Sequence, residues 1–366
     1  MDPVTHGLAG VVLANAGFRQ RVGYQATLAL TAGALLPDID VFWSSAQSVV
    51  ALETHRGITH SFVGAVGFAI ALGFLLRFFG PEKRWVRLSA LSLLGIVFGH
   101  LFLDLITSYG IQLYLPFSKA RPALDLVFII DPFLTLPLLA ALGAAFFWRH
   151  SAALISRLAL GVVIFYLASL GVTQFAAVTS MRQLLQRHGV TPRRVEALPW
   201  PFNPLRWQGF AEDGDTYWKG DIQLWRGRIA LTPVAKGPEN GMVARARGQK
   251  DVQTFLWFAR FPVVAFWQDG GRSVVEYRDL RFSQSIRSRD PFVLRVVFSP
   301  SGEVERVLFN PLADGSLLPC SCSWRPEPAG PRERHGGGSA FGSGTSQSWR
   351  WRRSPRTTGS RKGLAS

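Results

Sequence analysis

The sequence predicts an α-helical polytopic membrane domain over residues 1–180, a smaller β-rich soluble domain over 195–312 and a disordered basic tail over 319–366. Three observations predict it. Four apolar runs, 62–79, 88–106, 126–148 and 158–178, fall within 117 residues. Each is close to the ~20 residues a helix needs to cross the hydrocarbon core. From about residue 190 the texture changes to prolines, tryptophans and short alternating segments, which read as strands. After Leu318 no apolar period survives, and Gly, Ser, Arg and Pro dominate.

The composition agrees. Apolar residues are 48% and charged residues only 17%. The net charge of +16 would suit a nucleic-acid binder, but residues 319–366 alone hold nine Lys/Arg against two Glu. No basic stripe interleaved with aromatics occurs, so no nucleic-acid partner is expected. Basic residues facing anionic membrane lipid explain the charge better. The cysteines, Cys320 and Cys322, are too close for a disulfide framework and lack the partner pair of a zinc ribbon. Any metal is therefore held by nitrogen and oxygen. Residues 1–10, with Asp2 and no basic region, do not read as a cleavable signal peptide.

In chain order, 6–18 and 24–36 are apolar pieces of about 13 residues, or ~20 Å of helix, shorter than a full span. They predict a hairpin that returns Asp38 and Asp40 to the end where His6 lies. The four longer runs follow, broken by His100 and Asp104 in the second and by Asp131-Pro132 in the third. Arg19, Arg21, Arg77, Lys83, Arg84, Arg87, Arg149 and Arg157 lie on one side, against Arg56, Lys119 and Arg121 on the other. That bias puts the first side in the cytoplasm. The polar residues and the C-terminal domain then share the outer face, although Arg182, Arg187, Arg193 and Arg194 run against the bias. In the second half, Asp221–Trp225, Ser273–Tyr277 and Phe292–Phe298 read as strands, with turns at Asp269-Gly270-Gly271 and Ser299–Gly302. The break after Leu318 reads as a translated frame error or a dispensable extension.

The chemistry gathers in polar islands flanked by apolar sequence: Thr5-His6-Gly7, Leu35–Asp40, Glu53–Ser61 and Gly99–Asp104. Unpaired charge in such surroundings costs several kcal/mol or more, and a bound divalent metal ion would compensate it. His100 and Asp104 are four apart and share one helix face. They read as a chelating pair rather than as a polar joint between two helices. His55 and His60 are five apart, with Gly57 between them allowing convergence in a loop. His6, Asp38, His55, His60, His100 and Asp104 are the candidate metal ligands. Asp40 is the candidate base or supporting carboxylate. Arg56 is the candidate partner for an anion. Mixed His/Asp ligands suit zinc, in one or two copies, with Mn²⁺ or Fe²⁺ as alternatives. Neither HExxH nor GxSxG is present.

The stretches DPVTHGLAG, LLPDID, HRGITHS and GHLFLDLITSYG, in this order and spacing, resemble the YdjM-type family of bacterial inner-membrane proteins. The resemblance covers residues 1–180, and 195–312 looks like an extension some members carry. It implies a membrane-bound metal-dependent hydrolase of unspecified substrate. A more distant similarity is to zinc-dependent phospholipases C and P1-type nucleases, through an Asp, a lone His and an H-x-x-x-D pair. Their H-x-x-x-E pair has no counterpart here, which favours one or two metals over three. The expected activity is metal-activated water attacking an ester or phosphoester, with a membrane lipid as candidate substrate. A non-enzymatic membrane protein that binds or transports a metal ion is the alternative, and a metal-free scaffold a third.

Overall fold

The structure is a computed structural model and describes residues 1–42, 48–283 and 292–311. The chain opens with α1 (Pro3–Leu13). Pro3 fits the first helical position, and Asp2 caps the helix by accepting the amide of Thr5. A π-turn over Ala14–Phe18 and a short helical turn, Arg19–Val22, lead into α2 (Tyr24–Leu35). The expected hairpin is therefore formed. A 3₁₀ segment, Leu36–Phe42, carries Asp38 and Asp40. Two short helical pieces, Val50–Thr54 and Ile58–His60, precede α3 (Phe62–Leu76), which Ser61 caps. Next come α4 (Trp85–Leu105), an irregular stretch over 106–131, α5 (Pro132–Phe147) and α6 (Ala152–Arg187).

Trp85–Leu105 and Arg149–Arg187 are long and apolar enough to cross a membrane. Val50–His60 and Phe62–Leu76, bent by 57°, add a third span if they cross as one. The run 126–148 gives a shorter helix than expected, of 16 residues. Pro132 disfavours helical backbone at Asp131, so the helix starts there, with Asp131 as its cap. Residues 126 and 127 instead donate their amides to the carbonyl of Ile106. On α3 only a thin stripe, Ala65, Ala69, Gly73 and Leu76, is buried. Phe62, Val63, Val66, Ile70 and Phe74 face outward, as lipid-facing residues do.

The second half holds two four-stranded antiparallel sheets, β1-β2-β3-β4 and β5-β6-β7-β8. The first comprises β1 (Arg194–Trp200), β2 (Asn203–Asp213), β3 (Thr216–Gln223) and β4 (Arg228–Ala235). The second comprises β5 (Pro262–Asp269), β6 (Arg272–Asp279), β7 (Val293–Phe298) and β8 (Val304–Phe309). Between them lie α7 (Gly241–Arg247) and α8 (Lys250–Phe258), which the alternating pattern did not announce. The expected strand over 221–225 ends at Gln223, where Leu224–Arg226 turns into Gly227 at φ +58°. The strands expected over 273–277 and 292–298 form, the second starting one residue later at Val293, and both turns fall where expected. Trp207 fills the core, whereas Trp225 is exposed. The tail, 319–366, lies outside the described residues.

The sheets are anchored to the stretch that follows α4. Arg260 forks onto Asp125 at 2.9 and 2.8 Å, and Arg281 donates to the carbonyl of Ser108 at 2.8 Å. Tyr109 packs on Phe258. The β-rich half thus braces the segment leaving the last turn of α4, where the candidate ligands lie.

Candidate metal centre

Close helix approach builds the centre. A Cβ on Gly95 of α4 would stand 2.3 Å from the carbonyl oxygen of Leu30, and one on Gly33 of α2 2.5 Å from that of Ser92. Only glycine lets α2 and α4 touch backbone to backbone at these points. The contact carries the end of α4 against the end of α2 and the start of α1. Residues 97–101 of α4 form a π-turn, a distortion often found at functional sites, and His100 sits in it.

Hydrogen bonding fixes the imidazoles. His100 Nδ1 lies 2.7 Å from the carbonyl of Ala34, and His6 Nδ1 2.8 Å from that of Gly99. A carbonyl only accepts, so both Nδ1 atoms donate. Thr59 gives its hydroxyl proton to Asp40 at 3.0 Å, so His60 Nδ1, 2.9 Å from Thr59 Oγ1, donates to that hydroxyl oxygen. In the neutral rings all three Nε2 atoms are then bare lone pairs. His60 Nε2 and His100 Nε2 face each other at 2.9 Å. Two lone pairs at that distance need a proton or a cation between them. Metal-bound histidines commonly hold their second nitrogen in this way.

Carboxylates complete the set. Asp104 Oδ2 has no hydrogen-bond partner and lies 3.3 Å from His60 Nε2 and 3.6 Å from His100 Nε2. Asp38 Oδ1 lies 3.6 Å from both nitrogens. One donor atom from each of Asp38, His60, His100 and Asp104 falls within 4.8 Å of the other three. A tetrahedral ion with arms of ~2.0–2.2 Å spaces its donors by roughly 3.3–3.6 Å. The four residues therefore fit a divalent cation. Its identity is a separate matter.

The other oxygen of Asp104 has different company. Arg56 Nη2 reaches Oδ1 at 2.9 Å, and the Met1 amine contacts the same oxygen. Burial, which outweighs Asp104, pushes the amine's pKa down. His6 Nε2, stacked beside His100, stands 3.5 Å from Oδ1 with no hydrogen-bond partner. Arg56 is itself buried and holds φ at +59°, a conformation that costs a side-chain-bearing residue about 1–3 kcal/mol. Asp40 takes its amide at 2.9 Å, and the Gln112 amide donates to its carbonyl at 3.1 Å. Its guanidinium also donates to Thr107 Oγ1 and lies over the Tyr109 ring.

Asp40 organises the 55–60 loop. Its carboxylate accepts from His55 Nδ1 at 2.9 Å, the Arg56 amide and Thr59. Burial alone would raise its pKa, but His55 and His60 hold it below the usual carboxylate value. At Asp38, burial is likewise outweighed by hydrogen bonding to His60 and by His100, which bring it down to about 2. Asp38 and His55 keep side-chain exposures of 20% and 27%, whereas those of His6, His60, His100 and Asp104 have none. The centre therefore opens past Asp38 and His55.

Of the residues singled out from sequence, Asp38, His60, His100 and Asp104 form the group, and His6 adjoins it. His55 stands beside it on Asp40, and Arg56 points inward to Asp104. Thr59, Thr107, Tyr109 and the Met1 amine were not singled out. Thr107 and Tyr109 do continue the GHLFLD motif, three and five residues beyond Asp104. Asp125 and Asp131 serve Arg260 and the α5 cap.

Residues 1–177 match the sequence model of a family described as YdjM inner membrane protein. Over 150 residues the chain is 31% identical to the uncharacterized protein YfhP of Bacillus subtilis (strain 168), covering 39% of this chain and 46% of YfhP. The chain thus spans about half the length of that relative. No solved structure matches. The matched region contains all four members of the buried His/Asp group, and over residues 1–177, a little under half of the chain, the sequence is similar to the YdjM inner membrane protein family.

Proposed function

We propose that this chain is a membrane-bound metal-dependent hydrolase that cleaves an ester or phosphoester of a membrane lipid at the periplasmic face of the inner membrane. One observation carries the reading. The Nε2 atoms of His60 and His100, each with its Nδ1 already donating, converge with carboxylate oxygens of Asp38 and Asp104. Asp38, His60, His100 and Asp104 would hold the ion, with His6 alongside. Zinc suits this nitrogen and oxygen set best. A bound divalent ion supplies Lewis-acid polarisation of water and of the scissile group.

The chain's own residues do the rest. Asp40 fixes His55 through Nδ1, leaving Nε2 on the open side, where it can hold or move a proton. Arg56 and Thr107 keep Asp104 in place. The lipid substrate is supported by the surroundings of the opening. The segment bearing Asp38 exposes Val41 and Phe42, and the one bearing His60 exposes Ile58. Phe62 follows directly and begins the outward apolar face of α3. The periplasmic placement rests on the Lys/Arg bias of the connections.

The test is turnover by protein reconstituted in phosphatidylethanolamine/phosphatidylglycerol vesicles, against a panel of lipid phosphoesters and carboxyl esters. Activity should disappear with a chelator, return with zinc, and fall on the order of 10²-fold or more in His55→Gln. Metal bound tightly with no turnover on any of them would favour the metal-binding or transporting alternative.

A further inference from the structure

We infer that Arg56 is the fixed second cation of this centre, and that the centre takes one metal ion rather than two. Asp104 is a carboxylate with two differently occupied sides. Oδ2 faces His60 and His100 and has no hydrogen-bond partner. Oδ1 is where a bridging carboxylate would present its second ion, and His6 Nε2 stands 3.5 Å away as the natural nitrogen ligand. The Arg56 guanidinium occupies that side instead, at 2.9 Å, with side-chain exposures of 6% for Arg56 and none for Asp104.

This position is built, not incidental. Arg56 holds a left-handed backbone that residues with side chains avoid. Asp40 fixes its amide and Gln112 its carbonyl. Thr107 and the Tyr109 ring hold the guanidinium. An arginine spread over a surface would need none of these supports.

Charge decides the count. Asp38, Asp40 and Asp104 bring three carboxylates and Arg56 one guanidinium, so two negative charges are uncompensated. One divalent ion cancels them. A second would leave at least two positive charges beside the fully buried side of Asp104, and uncompensated buried charge is strongly disfavoured.

The inference rests on the metal-dependent reading of the site. Its test is zinc stoichiometry of the full chain in detergent, by elemental analysis after equilibration with graded zinc. Wild type and His6→Ala should each hold one tight equivalent. Arg56→Met, monodisperse on size exclusion, should accept a second equivalent that Arg56→Met/His6→Ala loses, and Arg56→Lys should return to one. Two tight equivalents in wild type, falling to one in His6→Ala, would overturn the inference and leave the metal centre standing. An Arg56→Met protein that stays at one would also overturn it. No zinc in well-folded wild type would remove the metal reading itself.

Discussion

The most apolar 18-residue stretches of α4 and α6 are almost equally apolar, with mean hydropathies of 1.9 and 2.0, yet 61% of the first stretch is buried inside the protein and 28% of the second. The difference is where their rare polar and small residues lie. α4 carries Gly95, Gly99, His100 and Asp104 on faces packed by α1 and α2. α6 turns Leu158, Val162, Phe165, Val172 and Phe175 outward. Where lipid is the solvent, apolar side chains are no guide to the inside, and small and ionisable ones are. The inner helix is therefore the one that carries candidate ligands, His100 and Asp104. Their place beside Asp38 and His60 depends on the approach that its glycines permit.

Changes on the two helices should accordingly differ. Gly95→Val places atoms against the Leu30 carbonyl and forces α2 from α4. Destabilisation of at least 1–3 kcal/mol is expected, with weakened metal binding, because His100 hangs on the Ala34 carbonyl of α2. Phe165→Leu on the outward face of α6 should change stability by less than about 0.5 kcal/mol and leave metal binding unchanged. Thermal unfolding in detergent with parallel metal analysis compares them. Equal losses would erase the distinction between the helices.

A smaller effect concerns pH. The Asp38 carboxyl sits near 2 in the folded protein, below its ordinary 3.8. A depressed carboxylate stabilises the fold fully above the unfolded value and loses that contribution as pH falls through the folded one. Metal-stripped protein should lose on the order of 2 kcal/mol from this group between about pH 4 and pH 2. Asp38→Asn should flatten that part of the profile. Denaturant midpoints across this range measure it, and an unchanged slope in the variant would contradict the assignment.

Much of the site was legible in the sequence because intramembrane polarity is costly. His100 and Asp104 stand out in an apolar run, and the short hairpin explains how His6 and Asp38 reach them. The split between ligands and supports was not legible. His55 and His60 look alike in ETHRGITHS, and only the folded loop gives one to Asp40 and the other to the centre. Arg56 reads as a partner for an anion and pairs with the Asp104 carboxylate, but nothing in sequence announces that a left-handed backbone turns it inward. In the β-rich half, alternation found strands β6 and β7 but missed α7 and α8, short helices whose apolar residues give too few periods to register.

The most direct measurement is the metal content of the detergent-purified chain beside His100→Ala and Asp104→Ala. About one equivalent of zinc or a similar divalent ion in the parent, lost in both variants while each remains folded, is the predicted result. A well-folded parent that binds no metal, or variants that bind as the parent does, would contradict the account.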